Sequence, residues 1–232
     1  MKTFVMVVLG FFLLLFQGCG SSSQNEILSG TQKFKFFNAR HVTEEMTLLV
    51  KKNSVEMFKT SIEYAKDDSR SVSWVEHDKL DISYEQDFGV IWSNIIPVDG
   101  MKIILSIGND SAQSAPLRLD GATKNDLMSN RAIFQVVNAM NGDTDNHIND
   151  ELELQIRNQS IYDSGLLKLG DVSDEENVIG SANSLVTVVD KRGNILEETT
   201  YDILNSKAYI IIIYEDKFID NQPKIYFLDV TP

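Results

Sequence analysis

Leu152-Glu153-Leu154-Gln155-Ile156-Arg157 alternates apolar and polar side chains with a period of two. That spacing puts Leu152, Leu154 and Ile156 on one face of a strand, whereas a helix would scatter them around its axis. The reading extends to a second stretch, because the sequence recurs. Leu48-Leu49-Val50-Lys51-Lys52-Asn53-Ser54-Val55 returns as Leu154-Gln155-Ile156-Arg157-Asn158-Gln159-Ser160-Ile161, at an offset of 106. Taken alone, Thr43 to Lys66 holds enough good helix formers to read as a helix. Equivalent copies share a structure, so both stretches are predicted to be strands.

Other segments recur in the same order. Phe34-Lys35-Phe36-Phe37-Asn38-Ala39 returns as Phe134-Gln135-Val136-Val137-Asn138-Ala139, at an offset of 100. Leu80-Asp81-Ile82 matches Val186-Thr187-Val188, and Ile103-Ile104-Leu105-Ser106-Ile107 matches Tyr209-Ile210-Ile211-Ile212-Ile213, both at 106. A nearly fixed offset is what a duplicated domain leaves behind. Asp99-Gly100, Asp120-Gly121, Asn141-Gly142 and Arg192-Gly193-Asn194 are turn signals between strands. Ile210 to Ile213 is too uniformly apolar for a half-exposed strand and is predicted to be central. Ala115-Pro116-Leu117-Arg118-Leu119 resembles Gln222-Pro223-Lys224-Ile225-Tyr226 near the unit ends. Short strands punctuated this often predict an all-β sandwich in two copies, 32–121 and 131–232, with 122–130 as linker.

Each copy resembles a widespread group of uncharacterised bacterial secreted domains, usually found in tandem on lipoproteins. Phe37-Asn38-Ala39 and Val137-Asn138-Ala139 carry the opening-strand motif. Ser206-Lys207-Ala208-Tyr209 and Gly100-Met101-Lys102-Ile103 carry the closing one. The Ser-Pro that commonly follows the opening strand is replaced by Arg40-His41 and Met140-Asn141. The resemblance implies two tandem immunoglobulin-like antiparallel β-sandwich domains, and the group brings no established activity.

Met1-Lys2-Thr3 followed by the apolar run Phe4 to Phe16 has the length of a signal-peptide core, short of the about 20 residues of a spanning helix. Cys19, the only cysteine, stands where this leader ends. Leu15-Phe16-Gln17-Gly18-Cys19 resembles the lipobox of bacterial lipoproteins, with Gly18 as the small residue before the cysteine and Phe16 in place of the usual Leu. The resemblance implies cleavage after residue 18, acylation of Cys19 and an envelope location. Gly20 and Ser21, in place of acidic residues, imply the outer membrane. Residues 19–31 read as a flexible lipidated tether, and membrane attachment runs through the N-terminal lipid.

Twenty-one basic against 34 acidic residues give a formal charge of −13. Such a surface disfavours nucleic acid as a partner. With no second cysteine a disulfide within the chain is excluded, so stability must come from apolar cores.

His41, His77 and His147 lack zinc-ligand spacing. No nucleophile elbow, P-loop or dinucleotide fingerprint is present, so no enzyme is expected. Two features could bind something. The second unit carries a six-residue insertion within 141–151, and Asp143, Asp145, Asn149, Asp150 and Glu151 are oxygen ligands that could surround calcium, although the spacing departs from the EF-hand. Trp74 and Trp92 occur only in the first unit, opposite Gly180 and Glu198 in the repeat, which predicts an aromatic patch for a glycan or an envelope protein. The expected function is a non-enzymatic binding or structural role at the envelope. A calcium-dependent adhesion or glycan-binding module is the alternative, and a hydrolase ranks behind both.

Overall fold

The computed structural model describes residues 28–40, 45–84, 90–97, 100–107, 116–140, 151–158, 161–219 and 222–232, and every regular element among them is a strand. The first half of the chain forms β1 (Ser29–Asn38), β2 (Glu45–Lys52), β3 (Val55–Glu63), β4 (Asp67–Val75), β5 (Leu80–Tyr84), β6 (Val90–Ile95), β7 (Gly100–Ser106) and β8 (Leu117–Asp120). The second half forms β9 (Ala132–Asn138), β10 (Leu152–Arg157), β11 (Ile161–Asp163), β12 (Glu176–Val178), β13 (Ser181–Asp190), β14 (Ile195–Ile203), β15 (Ala208–Glu215) and β16 (Pro223–Asp229). The stretch with helix-forming composition is the β2–β3 hairpin. Asn53 and Ser54, both at positive φ (49° and 69°), make its two-residue turn.

The strands form four four-stranded sheets, two per half. β4-β1-β7-β8 faces β3-β2-β5-β6, and β12-β9-β15-β16 faces β11-β10-β13-β14. This is the expected pair of immunoglobulin-like sandwiches, with one departure from the antiparallel pattern. β1 pairs with β7 in parallel, and β9 with β15 likewise. In each half the chain crosses to the opposite sheet between these strands, which gives the length a parallel return needs. β1 also starts at Ser29, inside the stretch 19–31 expected to be a tether.

Burial follows the alternation, with a second use for the outer faces. Phe34, Phe36 and Ile104 point into the core of the first sandwich with Leu48, Val50 and Ile82. Phe134, Val136, Ile211 and Ile213 do the same in the second with Leu154, Ile156 and Val188. The opposite phase of the same strands, Phe37, Ile103 and Leu105 with Val137, Ile210 and Ile212, forms a third core shared by both halves. The inner sheets therefore pack back to back, and the molecule is four sheets deep. Ile210 to Ile213 are all buried because β15 lies between β9 and β16 and is covered on both faces, as its uniform sequence predicts.

The repeat holds, but two of its registers shift. Against β1 and β9 the parallel partners put Ile104 level with Phe36 and Ile211 level with Val136, so β15 corresponds to β7 at 107, not 106. One residue matters, since it exchanges the two faces of a strand. In the other sheets Val50 faces Ile82 and Ile156 faces Val186, an offset of 104 that keeps the same face. The linker is folded as well. Thr123 bonds Asp126 through both N–H and hydroxyl at 2.7 Å, and Ala122 and Leu127 pack on the shared core.

Candidate functional site

The strand Ser69-Arg70-Ser71-Val72-Ser73-Trp74-Val75 sends Val72 and Trp74 inward and leaves Val75 in the outward phase. Its end lies beside the start of β1, with Trp74 opposite Gly30 and Val75 opposite Ser29. Glu76 N–H donates to Leu28 O at 2.7 Å, which fixes where the chain enters the sandwich. The turn then reverses through His77, at φ 74°. Asp78 holds it by accepting from Val75 N (2.9 Å) and Asn53 Nδ2 (2.7 Å), with Lys52 Nζ at 3.3 Å. The Val75 N–H is the main reason the Asp78 carboxyl lies below the usual range; Asn53 and Lys52 reinforce it against a smaller effect of burial. Ile96 and Pro97, just past β6, close the other side. Leu28, Trp74, Val75, Ile96 and Pro97, with residues 76–79, line a largely apolar cavity of about 430 Å³.

The two tryptophans lie in facing sheets and do not line one cavity. Trp74 is a cavity wall on β4, and its Nε1 is buried without a partner. Trp92 sits on β6 in the facing sheet, packs on the first sandwich core and carries Lys102 and Arg118 over its ring at 5.2 and 5.6 Å. The repeat places Gly180 opposite Trp74, as expected. There a Cβ would fall 2.7 Å from Ile203 O and from Asn205 Oδ1, so this position admits no side chain without a shift. Trp92 faces Ile82 while Thr199 faces Val186, so its counterpart is Thr199 rather than Glu198.

Of the expected calcium ligands, Asp143, Asp145, Asn149 and Asp150 lie outside the described residues, as do Cys19, His41 and His147. Glu151 is described, and its carboxylate lies 3.8 Å from Lys168 Nζ. Among the described residues no group of three or more His, Cys, Asp or Glu could hold a metal. The His77 side chain is solvent-exposed, with Glu76 at 3.9 Å. Among the described residues, no helix is long and apolar enough to cross a membrane.

The paired Asn-Ala motif has a structural explanation. Asn38 Nδ2 donates to Ile62 O at 3.1 Å and its Oδ1 accepts from Arg40 N at 3.1 Å. Asn138 repeats this with Leu167 O at 2.8 Å and Met140 N at 3.0 Å. Each carboxamide ties the end of a central strand to the facing side of its own sandwich. Both are fully buried, where a missing partner would be costly.

Sequence reasoning found Trp74 but missed the rest of the cavity. The available signal was local: Val75 breaks the run of outward serines with an apolar side chain, and Ile96 stands exposed before a proline. Nothing along the chain brings residues 28, 75 and 96 together.

No family model matches the chain, and no curated protein does. Solved structures do match. The tip fimbrial protein Mfa3 from Porphyromonas gingivalis, with a C-terminal truncation, is 8% identical, with 88% of this chain and 100% of that one covered, at a TM-score of 0.30. A putative cell adhesion protein from Bacteroides eggerthii is 6% identical over 88% and 96%, at 0.28. A fimbrial assembly protein from Parabacteroides distasonis is 9% identical over 88% and 97%, at 0.25. Similarity at this level carries no argument about activity, and the fold rests on the sheets themselves.

Proposed function

We propose that this chain is a lipid-anchored cell-envelope protein with a non-enzymatic binding or structural role. The short apolar leader, the lone Cys19 and the Gly-Ser-Ser-Ser that follows support the anchor. The observation that carries the non-enzymatic reading is how the buried polar side chains are used. Asn38 and Asn138 hold strand ends, Asp190 accepts from Arg192 N, Asn194 N and Asn194 Nδ2 at 2.8 Å, and Tyr84 and Tyr162 bond Ser106 and Ser173. Side chains committed to the fold in this way are not free for acid–base or nucleophilic work.

Attachment is tested by metabolic labelling with an alkyne palmitate and membrane fractionation. Label should appear on the wild type and vanish in Cys19→Ala; a labelled Cys19→Ala chain would sink the anchor. Calcium at Asp143, Asp145, Asn149, Asp150 and Glu151 is proposed as a separate property. A melting temperature that rises with calcium and falls with chelator is expected, and an unchanged curve would remove it. Location in the outer membrane belongs to the same proposal, and density-gradient separation of the two membranes tests it.

A further inference from the structure

The cavity beside Leu28 is placed and lined unlike a site for a polar ligand. A sugar or peptide site needs several free polar groups that converge on the ligand. Here the Asp78 carboxylate is committed to Val75, Asn53 and Lys52, the Trp74 N–H is shut inside the wall, and the remaining surface is mostly hydrocarbon and indole. Leu28 (64% exposed), Val75 (48%) and Ile96 (75%) carry the apolar lining out to solvent, with the exposed Glu76, His77 and Lys79 on the turn beside them. At about 430 Å³ the space falls in the ~300–1,000 Å³ range of small-molecule sites.

The position of the rim identifies the occupant. Leu28 is where the described chain begins, and its carbonyl is fastened to Glu76 N within the cavity lining. Cys19 lies nine residues upstream, a reach of at most about 30 Å. A group carried on Cys19 is therefore tethered at the cavity mouth, where a short linker gives an effective concentration of order millimolar. We infer that the cavity takes a fatty acyl chain, supplied by the lipid on Cys19. One chain is then held by the protein while the others stay in the bilayer, which keeps the Leu28 pole against the membrane. This rests on the lipidation proposed above.

The test separates the cavity from the anchor. The unacylated chain from residue 19, with Cys19→Ser and Trp92→Phe, leaves Trp74 as its only tryptophan. Titration with bromine-labelled stearic acid should quench its emission saturably, at least twofold, and Ile96→Glu, with its near-ultraviolet circular dichroism unchanged, should abolish the effect. No saturable quenching, or equal quenching in Ile96→Glu, overturns the cavity assignment. For the source, the natively acylated Trp92→Phe protein in nanodiscs should emit to the blue of the unacylated form and bind the probe at least fivefold more weakly. Identical spectra and binding, with acyl groups present in the mass of the N-terminal peptide, overturn the Cys19 source. A peptide mass without acyl groups removes both the anchor and that source, and the titration still decides what the cavity binds.

Discussion

The Tyr226 phenol, on the second sandwich, donates its hydrogen bond to the carboxylate of Asp67 on the first, 159 residues away in sequence. Lys35 Nζ approaches the same carboxylate at 2.7 Å, and Tyr226 packs against Phe37 with ring centroids 4.6 Å apart. A polar clamp thus sits at the edge of an apolar seam.

The clamp makes stability depend on pH at both ends. Burial raises the Asp67 carboxyl, but hydrogen bonds from Lys35 and Tyr226 outweigh it and hold the group below its ordinary 3.8. Its contribution is present above that value and is lost as pH falls through the lower folded pKa. Burial, then the Asp67 carboxylate, push the Tyr226 phenol above its ordinary 10.0. That contribution is present below 10.0 and is lost as pH rises through and beyond it toward the folded pKa. The urea midpoint should fall below about pH 3.8 and above about pH 10. Asp67→Asn should flatten the acid limb and Tyr226→Phe part of the alkaline one. Tyr64, raised by burial and then by Glu215, supplies more of the alkaline limb. Limbs of unchanged slope in both variants would rule the clamp out.

Asn38 and Asn138 make a matched pair for mutation. Alanine at Asn38 removes the carboxamide partner of Ile62 O and of Arg40 N in a dry core; alanine at Asn138 removes that of Met140 N, while Leu167 O keeps its bond from Leu152 N. Each group left without a partner costs about 1–3 kcal/mol, so both variants should lose stability in chemical denaturation, Asn138→Ala by no more than Asn38→Ala. A loss confined to one would show that the two copies use the motif differently.

Strand identity was legible because one buried face imposes a period of two, as in Leu152 to Arg157. Register was less legible, and the pair that slipped by one shows why. Ile103 to Leu105 and Tyr209 to Ile213 are apolar on both faces, since one face fills a sandwich and the other the shared seam. Such runs contain no alternation to fix their phase, so matching by residue type slipped by one. The seam did leave a trace in the paired apolar residues Phe36-Phe37 and Val136-Val137, which a strand with one wet face would avoid. The cavity left almost none, because it is assembled from the ends of strands that only the fold makes neighbours.

Gly180 tests the asymmetry between the copies. Its counterpart Trp74 has room for an indole, whereas Gly180 N–H donates to Asn205 Oδ1 at 2.7 Å in a space with no place for a methyl. Gly180→Ala should cost about 1–3 kcal/mol through forced displacement. Alanine at Gly193, where nothing crowds a Cβ but φ is +82°, should cost about 1 kcal/mol from backbone strain alone. Equal losses by thermal melting would contradict the close approach at 180.

The shared seam predicts that the sandwiches unfold together. Separating them would expose Phe37, Ile103 and Leu105 on one side and Val137, Ile210 and Ile212 on the other, all buried and each contributing about 1.5–3 kcal/mol when removed from water. That cost is comparable to the whole stability of an ordinary domain, about 5–15 kcal/mol, so a half-unfolded state should be scarcely populated. Both tryptophans belong to the first sandwich, so their fluorescence reports on that half, while far-ultraviolet circular dichroism reports on both. The two denaturation curves should coincide. Ile212→Ala, deep in the seam but on the second sandwich, should cost about 2–5 kcal/mol and shift the tryptophan curve as far as the dichroism curve. A tryptophan transition that stays in place while the dichroism splits would mean that the seam does not couple the halves.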